Sequence, residues 1–244
     1  MAKHTADILS EFGVTLEKSV NVITDNATNV RMAMTKMMVN FKWRPCSTRT
    51  LQLVINNGLD NKDVTDLSKM LSKTRSIVGH YRHSLTATTL LNKVQKDNNV
   101  SQHRLKQDVA TRWNFQVVML ERLLEQRKAV TLCLAETSGK SVPKNLTTHE
   151  WSTAEDLVVA LRPFLDITVL MSSARYPTLW VIIPVLDGLI NFLKSTEGGL
   201  GLLKIFIELI KSKFGKFFRD EELCVATIMD TRFKAVLFTS AESR

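Results

Sequence analysis

Asp25 ends a short β-branched run in the stretch "VITDNATN", and polar, helix-starting residues follow it. An acid at such a junction has two readings. It can cap the next helix, because an Asp side-chain oxygen readily accepts the free amides of a first turn. It can also be one carboxylate of a metal-dependent site whose partners lie elsewhere in the chain. A second group is Arg112 followed by Trp113. An arginine carries a permanent charge and a tryptophan a large flat apolar ring. Trp113 also fits the first buried position of a helix, since Val117 and Leu120 continue its spacing. A third group, Lys69, Lys73, Arg75 and Arg82, recurs at helical spacing with His80 and His83 close by. That stripe can track phosphates, or be the solvated side of an amphipathic helix. His80 and His83 have no evident third ligand, so no metal site is expected.

Composition narrows the chemistry. The 244 residues carry a formal net charge of +9, which points to a polyanionic partner, DNA first. A hydrophobic share of 44% excludes global disorder. Cys46, Cys133 and Cys224 are odd in number and widely spaced, which favours a reduced compartment over a disulfide framework. No Cys-x-x-Cys pair, Gly-rich phosphate loop or Ser/His/Asp constellation stands out. The most apolar stretches are broken by Arg162 and Pro163 or by Pro184 and Asp187, and a span needs roughly 20 apolar residues, so no membrane partner is expected.

The elements that must hold these residues are mostly helical. Helices are expected over 4–12, ending at Gly13, and over 27–40, with a strand over 18–24 between them. Pro45 breaks the chain, and a second short strand near 44–47 is the only other one expected. Leu51, Val54 and Ile55 mark a helix with Gly58 as its stop. Residues 63–82 and 85–96 form the next two, the latter capped by Ser84. One long helix, capped by Asp108 or Thr111, runs to about Glu136. Thr147 and Glu150 have capping-box spacing. Pro163 is expected to kink or end the helix that follows, and Pro184 to kink the one after it.

Five segments in order carry a family resemblance. They are "VITDNATNV", "CSTRTLQLVINNGL", "DVATRWNFQVVMLERLLEQ", "LRPFLDITVLMSSARYPTLWVIIPVLDGL" and "VATIMDTRFKAVLF". The chain resembles the hAT transposase superfamily, and most closely its host-domesticated zinc finger BED domain-containing relatives. The resemblance implies an incomplete ribonuclease-H-like core over 1–60, a helical insertion over 61–195, and a helical segment over 196–244 leading toward a dimerisation region. The fold class is therefore mostly α with a small α/β part. Asp25 matches the family's second catalytic Asp, here vestigial, and Arg112 and Trp113 match a pair that lies near DNA, where the resemblance implies that the indole stacks on an unpaired base and the guanidinium attracts phosphate. The family's other two carboxylates, which help hold Mg²⁺ or Mn²⁺, fall outside the matched segments, so no cofactor and no enzymatic activity are expected of this chain. The family's Cys-x-x-His becomes "CSTR", with Arg49 in the His position, its "LDPRF" becomes "MDTRF", and the BED finger itself is absent. The resemblance implies a nuclear, DNA-binding or transcription-regulatory role, with homo-oligomers formed through regions beyond these motifs. The alternatives are part of a DDE-type transposase and a protein-interaction scaffold.

Overall fold

The computed structural model describes residues 7, 10–13, 20–37, 41–109, 112–139, 141–172, 178–196 and 201–234. Most of the helix expected over 4–12 and the cap at Thr111 lie outside the described residues. The chain divides into two compact units, Met1–Leu53 and Val54–Arg244.

In the first unit, strand β1 (Val20–Thr24), helix α1 (Thr28–Met37) and strand β2 (Phe41–Pro45) follow in order. The strands pair in parallel, Val20 opposite Phe41 and Thr24 opposite Pro45. A parallel pair requires a crossover between its strands, and α1 provides it. Side chains add to the pairing. The Trp43 indole N–H donates to Thr24 Oγ1 at 2.8 Å, and Arg44 Nε donates to Asn21 Oδ1 at 2.7 Å. The second strand starts earlier than expected. Pro45 is its last residue rather than a break before it, and "FKWR" has the period-two alternation of a strand.

Helix α2 (Ser47–Leu59) buries Leu51, Val54 and Ile55 completely. The boundary between the units falls within it. Gly58 does not stop this helix; it lies inside it. Its reason is steric: a Cβ built there would sit 2.3 Å from the ring of Phe206. Phe206 is fully buried against Phe164, with ring centroids 4.9 Å apart, so the ring has little room to move.

The second unit continues through α3 (Thr65–His83), α4 (Leu85–Asp97), α5 (Asn114–Glu125), α6 (Arg127–Glu136) and α7 (Thr148–Met171). It ends in α8 (Ile182–Ser195), α9 (Leu202–Phe214) and α10 (Glu221–Met229). Two expected caps are present. Ser84 Oγ accepts from the amide of Ala87, and Thr147 and Glu150 form the reciprocal capping box. Pro163 does not end α7, which runs on to Met171. The carbonyl that loses its partner belongs to Val159, which is 52% exposed, so water can take the amide's place. Pro184 lies in the first turn of α8, where the amide it lacks would be unbonded anyway.

The long helix expected to Glu136 is two helices, broken at Gln126. Gln126 is fully buried, with φ −95° and ψ 7°. It accepts from Gln95 Nε2 at 2.8 Å and donates to the carbonyl of Ser101 at 2.9 Å. Gln95 Nε2 also donates to the carbonyl of His103 at 3.0 Å. The two amides thus fasten the connector after α4 to the helical body. That connector begins with a Schellman turn: the Val100 amide bonds the Gln95 carbonyl and the Asn99 amide the Lys96 carbonyl. Asn99 has φ +52°, a conformation Asn tolerates better than most residues.

The last two resemblance motifs pack on one another. Arg232 lies 4.2 Å from the ring of Trp180, which stacks on Phe233 at 6.0 Å. Asp230 accepts from both Nε and Nη2 of Arg232, at 2.9 and 2.7 Å. That fork and a backbone amide of Arg232 lower the Asp230 carboxyl from 3.8 to about 2. A lowered acid contributes stability that is full above its ordinary value and lost as pH falls through its folded value.

Gly58→Ala is expected to lower stability by about 1–3 kcal/mol, as overpacking a tight core does, with a smaller effect in the background Phe206→Leu. Urea unfolding of the single and double variants measures this. Additive losses would mean that the two positions are not in contact.

Candidate nucleic-acid interface

Asp25 belongs to the first unit, and Lys69, Lys73, Arg75, Arg82 and Arg112 belong to the second. Asp25 is exposed in the turn between β1 and α1. Its Oδ1 accepts from the amide of Ala27 at 3.3 Å, a turn of the Asx type. Its neighbour Asn26 donates to Thr50 Oγ1 at 3.1 Å, and Thr50 in turn donates to the carbonyl of Cys46. The "TDN" and "CSTRT" segments are therefore tied together at one corner of the first unit. Arg49 is exposed and bonds Gln52. Among the described residues no three His, Cys, Asp or Glu side chains gather where a metal ion could sit. A single carboxylate is a poor fit for Mg²⁺, which keeps its waters unless several ligands converge. The donor set at Asp25 does not fit that ion.

Helix α3 carries the four cations Lys69, Lys73, Arg75 and Arg82, and their surroundings differ. Lys73 Nζ lies 2.6 Å from Glu150 Oε1, at the capping box of α7. Arg75 Nε lies 2.7 Å from Asp108 Oδ2, whose carboxylate is only 5% exposed and also accepts from Gln107. These two cations join α3 to the start of α7 and to the connector before α5. Lys69 pairs with Asp66 at 3.3 Å, both largely exposed, and such pairs are worth at most about 1 kcal/mol. Arg82 is exposed and has no carboxylate partner among the described residues. His80 and His83 do not take part in a metal group there.

Glu150 responds to its position. Partial burial would raise its carboxyl, but the Lys73 ammonium and the Thr147 hydrogen bonds outweigh this and hold it below its ordinary value. Its contribution to stability is thus present above that value and lost on acidification.

Arg112 and Trp113 stand at the entry to α5. Arg112 is exposed, and its amide donates to the carbonyl of Val109 at 2.9 Å, closing a tight turn. Trp113 is 5% exposed, continuous with the buried Val117 and Leu120. The pair is therefore split between an anchored ring and an exposed guanidinium. Sequence reasoning missed three other residues: Asp108 and Glu150 as the partners that fix two of the cations, and Arg104, exposed on the same connector. The signal for the first two was a carboxylate beside a helix start, read only as a cap.

Trp113→Ala is expected to destabilise the fold by about 3–5 kcal/mol, as large-to-small changes in packed interiors do. Unchanged thermal unfolding would contradict the buried placement. Glu150→Gln is expected to lower stability most above the ordinary carboxylate range and to flatten the loss seen below it. Unfolding measured from pH 7 to pH 3 checks the sign, and a variant curve parallel to the wild type would oppose it.

Residues 44–160 match the family model described as the ZBED1 RNase-like helical domain. That match runs from the end of β2 into α7 and contains α3 and the Arg112–Trp113 turn. The chain is 28% identical over 202 residues to zinc finger BED domain-containing protein 4 of Homo sapiens, covering 81% of this chain and 17% of that protein. It is 29% identical over 148 residues to zinc finger BED domain-containing protein 6 of Homo sapiens, covering 60% of this chain and 14% of that protein. The Mus musculus protein 6 matches to the same extent. The chain thus spans under a fifth of the length of these curated relatives. No described helix is long and apolar enough to cross a membrane. Over these residues the chain is similar to zinc finger BED domain-containing proteins, and its described residues are mostly helical with a two-stranded parallel sheet.

Proposed function

We propose that the chain is the helical part of a nuclear DNA-binding or transcription-regulatory protein, without transposase activity in this form. The observation that carries the reading is the sorting of cations on a chain of net charge +9. Lys73 and Arg75 are held by Glu150 and Asp108, while Arg82 and Arg112 are exposed with no carboxylate partner among the described residues. The latter two are the phosphate contacts, with Lys69 able to leave its exposed partner and join them. Trp113 holds Arg112 in place, and its ring reaches a base only if the turn opens. Lys73 and Arg75 support the surface by fixing α3 rather than by touching DNA.

The same reading assigns residues 1–60 to part of a ribonuclease-H-like core, 61–195 to its helical insertion, and 196–244 to a segment leading toward dimerisation. Asp25 is read as a vestigial carboxylate, and among the described residues it belongs to no group of three or more possible metal ligands. Strand transfer in a longer product would need further carboxylates beside it.

Binding is expected to weaken steeply with salt, because phosphate contacts release counterions. Arg112→Ala is expected to reduce affinity uniformly across DNA sequences and to lower the salt slope by about one. Fluorescence anisotropy of labelled duplex and single-stranded DNA from 50 to 200 mM salt tests this. Failure to bind at low salt, or binding indifferent to salt, would overturn the reading.

A further inference from the structure

The end of α3, the outer side of α4 and the connector after α4 enclose a concave pocket of about 620 Å³. Its lining combines two kinds of surface. Arg82, His83 and Arg104 bring basic groups, and Leu85, Leu91 and Leu105 bring apolar ones. Arg82 and Arg104 lie far apart in sequence yet line the same pocket. Both are exposed, and neither has an ion-pair partner among the described residues. A folded protein has little structural reason to gather unpaired guanidinium groups around one hollow, since like charges repel.

The apolar side is equally unusual. Leu85 is 83% exposed although it begins a helix beside the buried Leu91. Thr88, also in the lining, has its hydroxyl committed to the carbonyls of Tyr81 and Ser84. Asn92 is exposed, and its amide has no partner among the described residues. The pocket therefore offers two forked cations, one free amide and an apolar wall. The connector carrying Arg104 and Leu105 is held in place by Gln95 and Gln126 through the carbonyls of Ser101 and His103. Arg104 and Leu105 are thus presented by a fastened segment.

We propose that this pocket binds one nucleotide unit, its phosphate between Arg82 and Arg104 and its base or sugar against Leu85 and Leu105. Arg matches phosphate oxygens with parallel N–H donors. A volume between about 300 and 1,000 Å³ is the usual size for a small-molecule site. An inorganic phosphate alone would leave the leucine wall uncovered, and a purely apolar ligand would leave the guanidinium groups unmatched. The nucleotide can come from a nucleic-acid strand or be free. The strand is the expected source, an expectation that rests on the nucleic-acid reading above.

The test uses the full chain, a labelled ten-residue oligothymidylate, free thymidine monophosphate and inorganic phosphate. The double variant Arg82→Gln/Arg104→Gln is compared with Lys93→Gln/Lys96→Gln, which removes the same charge from exposed positions of α4 outside the pocket. Both should melt like the wild type. The pocket variant is expected to lose tenfold or more in oligothymidylate affinity beyond the control, with a salt slope reduced by one to two contacts. Leu85→Ser is expected to weaken nucleotide binding and leave inorganic phosphate binding unchanged. If the wild type ignores the oligonucleotide but binds thymidine monophosphate through Arg82 and Arg104, the pocket stands and the nucleic-acid reading fails. If DNA binds but the two double variants weaken it equally, the pocket assignment fails while that reading stands. Failure of both ligands to bind overturns both, and an unaffected Leu85→Ser overturns the nucleotide in favour of phosphate alone.

Discussion

The hydrogen bond between the buried side chains of Gln95 and Gln126 is the constraint on which the second unit's surface depends. An unpaired buried amide costs about 1–3 kcal/mol, so two such groups are tolerated only where they bond one another and the backbone. Here they take up the carbonyls of Ser101 and His103 and so fix the connector between α4 and α5. Gln95 Oε1 is left without a partner. Turning the amide over would place that oxygen against two other acceptors, the Gln126 Oε1 and the His103 carbonyl, so the orientation is set by its neighbours.

Three cations on that side, Arg75, Arg104 and Arg112, depend on the fixed connector. It carries Arg104, and it ends at Asp108, whose carboxylate holds Arg75 on α3. It then turns at Val109 to deliver Arg112 to the surface and Trp113 to the core. A second tie, Lys73 to Glu150, sets α3 against the start of α7 and is combined with that helix's own cap. The cost of each tie is a cation withdrawn from any ligand. The cations left over are the ones a polyanion can reach.

The helical character, the buried faces of α2 and α3, and the Ser84 and Thr147–Glu150 caps were legible because each depends on local spacing or on a side chain close to its own backbone partner. The failures have a common cause. Gly58 reads as a helix stop until Phe206, far along the chain, is seen against it. The break at Gln126 leaves the apolar periodicity intact, and only a polar residue in a buried position hinted at it. Pro163 obeys the rule for lost amides, but the freed carbonyl belongs to an exposed stretch, so the helix continues. The candidate site was legible as a set of residue types and illegible as a set of free charges, because Lys73 and Arg75 find their partners 77 and 33 residues away.

The resemblance motifs are also explained by packing. "TDN" meets "CSTRT" through Asn26 and Thr50, and Trp180 meets "DTRF" through Arg232 and Phe233. The residues that carry the resemblance thus also make structural contacts within the fold. The account is tested most directly by hydrogen exchange in Gln126→Ala. It predicts faster exchange at the Val100 and His103 amides and across the connector to Asp108, with α8 and α9 protected as in the wild type. Unchanged protection in the connector, or an equal loss across the whole unit, would contradict it.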